Sequence, residues 1–203
     1  MLDTMSRENP NTELNTKEKI LNATWELLAS NQGNGVRMSD IAKQVGISRQ
    51  ALYLHFPTRT ELLVATTRYM GDELNVDKRL APSRAATDGL DRLEKYIVFW
   101  GEYVPEIYGV AKALMVMGAT DEDAATAWND RMVAMREGCK AAVDAMKRDG
   151  YLSESLKLKE ATDILWTLLS VRNWEHFVLD CGWSKKHYIS LVTTMAKQVL
   201  TNK

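Results

Sequence analysis

Apolar residues recur along this chain at helical spacing, and nowhere do β-branched and polar residues alternate as in a half-buried strand. The first stripe, Ile20, Ala23, Trp25, Leu27 and Leu28, predicts a helix from about Thr16, its N-cap, to Ser30. "NQGNG" ends it, because Gly and Asn accept the positive φ that stops a helix. A second short helix is predicted over about 39–45 and is broken by Gly46. A third opens with Ser48 as N-cap and is closed by Pro57. "TRTE" at 58–61 reads as a capping box, in which Thr58 accepts from the backbone while Glu61 reaches back, and a fourth helix follows to about Asn75. "DKRLAPSRAATDG", 77–89, reads as a linker or loop. Longer amphipathic stretches follow over about 87–103, 105–117, 121–148, 157–181 and 184–201. The pattern predicts an all-α protein, with a module of three to four short helices ahead of a larger bundle.

Composition adds little except by exclusion. At 45% hydrophobic and 26% charged residues, the 203-residue chain is ordinary globular material. Cys139 and Cys181 are far apart and in no C-x-x-C arrangement, which argues against a disulfide framework or a zinc site and predicts two small buried hydrophobes. The first residues lack an apolar core and a basic leader, and no apolar run reaches membrane-spanning length. They predict a cytoplasmic protein with a disordered arm over 1–15 and no membrane partner. The net charge of −1 is more informative once resolved along the chain. Between residues 37 and 59, Arg37, Lys43, Arg49 and Arg59 face a single acid, Asp40. Positive charge concentrated in this way suits a phosphate backbone.

The same stretch has helix-turn-helix spacing. Ala42 is small where two helices must cross, and Gly46 permits a tight turn. Leu52 points back between the helices with Ile41, Ile47 and Phe56. Ser48, Arg49, Gln50 and Tyr53 are then left on the outer face. A helix in the major groove presents its N-terminal residues to base edges, where Arg matches guanine and Gln matches adenine in bidentate fashion. Tyr53, His55 and Arg59 lie at the rim, where donors to phosphate are useful, and the helix starts at Ser39 and Thr58 offer backbone N–H groups.

Residues 19–63, "KILNATWELLASNQGNGVRMSDIAKQVGISRQALYLHFPTRTELL", closely resemble the DNA-binding region of the TetR family of bacterial one-component transcriptional regulators, "GISRQALYLHF" most specifically. The resemblance implies an Ω-shaped all-α homodimer with one recognition helix per subunit, which leaves a palindromic DNA operator when a small-molecule effector binds the C-terminal domain. It divides the chain into a helix-turn-helix domain over 16–62 and a ligand-binding and dimerisation domain over 63–203. Arg49 and Gln50 fall where the family reads bases. Tyr53 and His55 match its phosphate-contacting tyrosine and histidine, and Arg59 replaces its phosphate-contacting lysine. Arg37 stands where the family often caps the second helix with Thr, so the cap moves to Ser39 and Arg37 reaches backbone or minor groove.

"LLSVRNWEHFVLDCGWSKKHYISLVTTMAKQVL", 168–200, resembles the last two helices of a common TetR subgroup, which pair with their symmetry mates as a four-helix interface. Phe177, Trp183, Tyr188, Val192, Met195 and Val199, with Leu179 and Leu191, offer more apolar surface than one subunit needs. The alternative is a core within the chain. A dimer also suits two half-sites about 34–36 Å apart. Tyr96, Trp100 and Tyr103 share one helical face, and with Tyr108, Met115, Trp128, Met132 and Trp166 they read either as the wall of a pocket for a flat, hydrophobic ligand or as core. Asn173 and Arg172, polar within an apolar helix, orient a ligand or sit at the surface.

Catalytic signatures are absent. Three histidines (His55, His176, His187) form no H-E-x-x-H, there is no G-x-S-x-G or P-loop, and "GNG" at 33–35 lacks the rest of a dinucleotide fingerprint. The sequence thus points to a ligand-responsive repressor rather than an enzyme, with no cofactor and no metal. The alternatives are an effector-independent DNA-binding protein and, further off, an all-α enzyme.

Overall fold

The computed structural model describes residues 15–30 and 35–201. The arm predicted over 1–15, except Asn15, and most of "NQGNG" lie outside the described residues. Among the described residues ten α-helices form: α1 (Thr16–Ser30), α2 (Met38–Val45), α3 (Arg49–His55), α4 (Arg59–Glu73), α5 (Val76–Arg84), α6 (Gly89–Met117), α7 (Glu122–Arg148), α8 (Leu158–Leu168), α9 (Val171–Trp174) and α10 (Lys185–Leu200). The all-α expectation holds: among the described residues, the only β pairing is a single bridge between Leu152 and Thr201.

In the N-terminal module, Ile20, Leu28, Ile41, Leu52, Leu62 and Leu63 are fully buried, and Phe56 nearly so. The turn between α2 and α3 depends on Gly46, at φ 76° and ψ 29°. Its N–H donates to Lys43 O at 3.2 Å, and that of Ile47 donates back to Ala42 O at 3.0 Å. This pairing of the last carbonyls requires a left-handed residue. Ser48 then caps α3 by accepting from the Ala51 N–H at 3.0 Å. The cap of α2 differs from expectation. It falls at Arg37, in extended backbone and without a side-chain hydrogen bond, because α2 begins one residue early, at Met38, whose side chain is buried. Thr58 caps α4 by accepting from Glu61 N at 3.1 Å.

Two departures from the predicted elements share a cause: local breakers are overridden by packing. The supposed linker holds α5. Asn75, at φ 54°, redirects the chain, and Val76 and Leu80 pack on the core. Ser83 is buried and donates to Arg92 O at 3.0 Å. Pro82 lies two residues from the end of α5, where little of the ladder remains to be lost. Pro105 does not divide α6, because Tyr103, Val104 and Ile107 are buried on both sides of it. Conversely, the stretch predicted over 157–181 is broken. Ser170 adopts extended backbone and caps the short α9, which runs into a π-turn over Glu175–Asp180 closed by Cys181 N–H to His176 O at 2.9 Å.

α6 packs along α7, which is flanked by α4 and α8, while α1 lies across α4 and α6, and α10 packs on α6 and α8. Two clusters of buried side chains result. One is continuous from the N-terminal module across residue 62 into Phe99, Tyr103 and Ile107. The other fills the C-terminal bundle, and Trp100 and Trp128 pack against both. The cysteines differ from each other and, in one case, from expectation. Cys139 is buried against Tyr96, but Cys181 is exposed at the end of the π-turn.

Gly46→Ala should destabilise the protein by about 1 kcal/mol through the left-handed backbone alone, since no atom lies within 4 Å of a Cβ built there. Thermal unfolding should show a Tm lower by about 2–4 °C.

Candidate nucleic-acid interface and an interior cavity

α3 is held from beneath by Leu52 and Phe56, which leaves the rest of its short surface free. Ser48, Arg49, Gln50 and His55 are exposed, as are Arg37, Ser39 and Thr58 beside it, while Tyr53 is half-buried. Arg49 lies over the Tyr53 ring at 5.5 Å from its centroid and donates to its hydroxyl at 3.3 Å. Two neighbouring turns of α3 thus carry one coupled polar unit. The hydroxyls of Ser48 and Thr58 already accept cap bonds. Leu54 was not singled out from the sequence. It is 82% exposed, on the same helical face as Gln50 four residues earlier. The signal was available: a leucine two residues from both Leu52 and Phe56 lies on the opposite side of the helix from that inward stripe and has no core to enter.

Some 30 residues further along, a cavity of about 380 Å³ opens between α4, α5, α6 and α7. Trp100, Tyr103, Trp128 and Met132, all expected at a pocket, line it together with Tyr96, Phe99, Met70, Leu114 and Met135. The aromatic face of α6 forms one wall, with Phe99 and Tyr103 stacked at 5.2 Å and Trp100 edge-on to both. Gly138 is required opposite this wall, since a Cβ there would fall 2.3 Å from Tyr96 Oη. Tyr96 itself donates to Met135 O at 3.0 Å. Burial pushes the Tyr103 phenol up to about 12, so it remains a protonated donor.

The other expected lining residues lie elsewhere. Tyr108 stacks near Trp174 and donates to Glu175 Oε1 at 2.7 Å; Lys112 holds the same carboxylate. Met115 and Trp166 pack within the C-terminal cluster, and Asn173 donates to Thr167 O at 2.6 Å. The residues expected at a dimer interface also divide. Tyr188 and Val192 are 1% and 0% exposed and belong to the chain's own core, because they continue with Ala196 and Leu200 as the inward stripe of α10. Phe177 and Trp183, stacked at 4.3 Å, and Met195 are half-buried, whereas Val199 is 48% and Leu179 52% exposed.

Residues 20–66 match the family model for bacterial regulatory proteins, tetR family. This chain carries a TetR-family N-terminal module. Over 65 residues, 32% of the chain, it is 37% identical to the nucleoid occlusion factor SlmA of Vibrio cholerae, of which it covers only 33%. It is 25% identical over 165 residues to the HTH-type transcriptional regulator CymR of Pseudomonas putida, covering 77% of this chain and 75% of that protein. The fold is shared with a putative transcriptional regulator from Saccharomonospora viridis in complex with choline, at a TM-score of 0.72 and 17% identity, over 92% of this chain and 98% of that one. No helix among the described residues is long and apolar enough to cross a membrane.

The TetR-family module is tied to the bundle at one point that its sequence did not disclose. Arg59, expected at a phosphate, instead places its guanidinium between Asp121 and Asp123 at the start of α7, at 2.8 and 3.2 Å, and donates through Nε to Val36 O at 2.9 Å. Thr60 also bonds Asp123. Farther along the same two helices, Arg68 of α4 pairs with Asp130 of α7 at 2.7 Å. The hydrogen bond from Arg59 holds the Asp121 carboxyl below its ordinary range against a smaller opposing effect of burial.

A carboxylate whose folded value is depressed stabilises the protein above the unfolded value of about 3.9 and loses that contribution as pH falls through the lower folded value. Stability should therefore decline below about pH 4. Asp121→Asn should flatten that decline, as measured by denaturant unfolding across pH 2.5–6.

Proposed function

We propose that this chain is a DNA-binding transcription regulator of the TetR type that acts as a repressor, binding a palindromic operator as a homodimer and leaving it when a small apolar molecule fills the cavity. The observation that carries the reading is the rigidly backed, exposed face of α3. Arg49 and Gln50 occupy its first turn, where a helix in the major groove meets base edges, and Leu54 suits a thymine methyl. Tyr53, His55 and the backbone at the start of α4 serve the phosphates. The division into a DNA-binding unit (16–62) and an effector and dimer unit (63–203) is one of task, since the core runs across it. Dimerisation falls to the outer stripe of α10, Leu191, Met195 and Val199, with Trp183, Phe177 and Leu179 beside it.

Coupling follows from shared elements. α4 and α7 both wall the cavity, through Thr67 and Met70 on one and Trp128 and Met132 on the other. Both also end at the Arg59 contact beside the interface. A ligand that spreads α4 from α7 re-aims α3 and changes the spacing of the two recognition helices in the dimer. An effector-independent DNA-binding protein has no use for a cavity of this size, which favours the ligand-responsive reading.

Footprinting on the DNA upstream of the gene should reveal a protected palindrome, and Arg49→Ala should abolish it; no protection by the wild-type chain defeats the proposal. Gln50→Ala should relax preference at one base pair by about 1–3 kcal/mol, whereas Tyr53→Phe should weaken all operator variants alike. Arg59→Ala should lower Tm yet leave the salt dependence of binding unchanged; a slope smaller by about one would assign Arg59 to a phosphate. In sedimentation, Val199→Glu should shift dimer to monomer with helicity retained, and an unshifted dimer would place the interface elsewhere.

A further inference from the structure

We infer that the cavity takes an apolar molecule ending in an oxyanion, most simply a monocarboxylate; this deepens the effector reading and rests on it. The cavity wall is aromatic and aliphatic, which sets an apolar body. Its polar groups decide the other end. The hydroxyls of Thr67, Ser83 and Tyr96 are committed to the backbone carbonyls of Val64, Arg92 and Met135 at 2.9, 3.0 and 3.0 Å. The groups left without a partner are donors. The Trp100 indole N–H, which can only donate, is buried beside the Tyr96 hydroxyl but not in hydrogen-bond geometry with it. Tyr103, beside it, also lines the cavity, and no protein acceptor takes its hydroxyl among the described residues. Arg92, half-buried on the first turn of α6, makes no ion pair among them, and Arg131 of α7 adds a second guanidinium, held at 2.9 Å by Asp130. A buried donor left unpaired is costly, and a ligand oxyanion satisfies several at once with charge-assisted bonds.

An aromatic lining alone also suits a cation, which would rest on ring faces. Here two of the rings are already claimed: the Arg79 guanidinium lies 5.7 Å from the Phe99 centroid and 5.5 Å from that of Tyr103. A ligand cation would meet Arg84, Arg92 and Arg131 on the lining, against one acid, Glu137, which is exposed to solvent.

Calorimetric titration of the full chain without DNA tests this, with octanoate and 4-phenylbutyrate set against 1-octanol, 4-phenylbutan-1-ol, 4-phenylbutylamine and choline. The acids should bind at least tenfold tighter than the matching alcohols, and the cations weakest. Arg92→Gln and Trp100→Phe should each shrink the acid–alcohol margin severalfold; alcohol binding that persists, even if weaker, shows that the cavity is still formed. Alcohols binding as well as acids, a cation binding tightest, or neither acid binding would each overturn the inference on the wild-type chain alone. Acid preference combined with unchanged operator binding would support it and count against the regulator reading only.

Discussion

Where the continuous core joins the N-terminal helices to the bundle, the guanidinium of Arg59 sets the register between them. It joins the first turn of α4, the loop residue Val36 ahead of α2 and the first turn of α7, so three separate segments share one charge centre. Its geometry suits that task better than a lysine would, since a planar fork reaches two carboxylates and a carbonyl at once. The Asp121 carboxylate also caps α7, accepting from Asp123 and Ala124 N–H at 3.1 and 3.2 Å. Breaking the contact therefore loosens a helix start as well as an interdomain bond.

From that fixed point, α4 and α7 run together to the cavity, tied again by Arg68 and Asp130. Asp130 also holds Arg131, which lines the cavity, so one carboxylate links a cavity donor to α4. An occupant that draws on Arg131 acts on the same carboxylate that anchors α4. Both of these ion pairs are partly exposed and individually weak. Their value lies in where they stand: they join elements that already pack, and they resist sliding of one helix along the other rather than adding much to stability.

The periodicity of the chain was sufficient for most of the helices and for the turns around α3, because Ser48 and Thr58 cap through their hydroxyls and Gly46 turns through its left-handed backbone, all on partners within four residues. The inward set of Ile41, Leu52 and Phe56 was legible for the same reason. What the sequence did not disclose depended on partners far along the chain. The linker read over 77–89 and the break placed between 103 and 105 gave way to the burial of Ser83 in α5 and of Tyr103, Val104 and Ile107 in α6, while Ser170 passed unnoticed within an apolar run. Tyr188 and Trp183 are equally apolar on paper, yet α6 and α8 bury the first and leave the second half-exposed. Arg59 matched a local motif, and its acids lie more than 60 residues away.

The acids that claim Arg59 also alter the charge picture from which the interface was first argued. The positive excess between residues 37 and 59 includes that arginine, and Asp121, Glu122 and Asp123 now stand beside it. Asp121 and Asp123 share a surface groove with Arg37, Ser39, Arg49 and Tyr53. Phosphates approaching this groove meet carboxylates on one side and donors on the other, so the field favours a docking pose centred on α3 and away from α7. A small outward movement of α7 lowers the repulsion, and an inward one raises it. On the proposed function, the same helix turn would act on DNA affinity in two ways, through the spacing of the recognition helices and through the charge presented beside them.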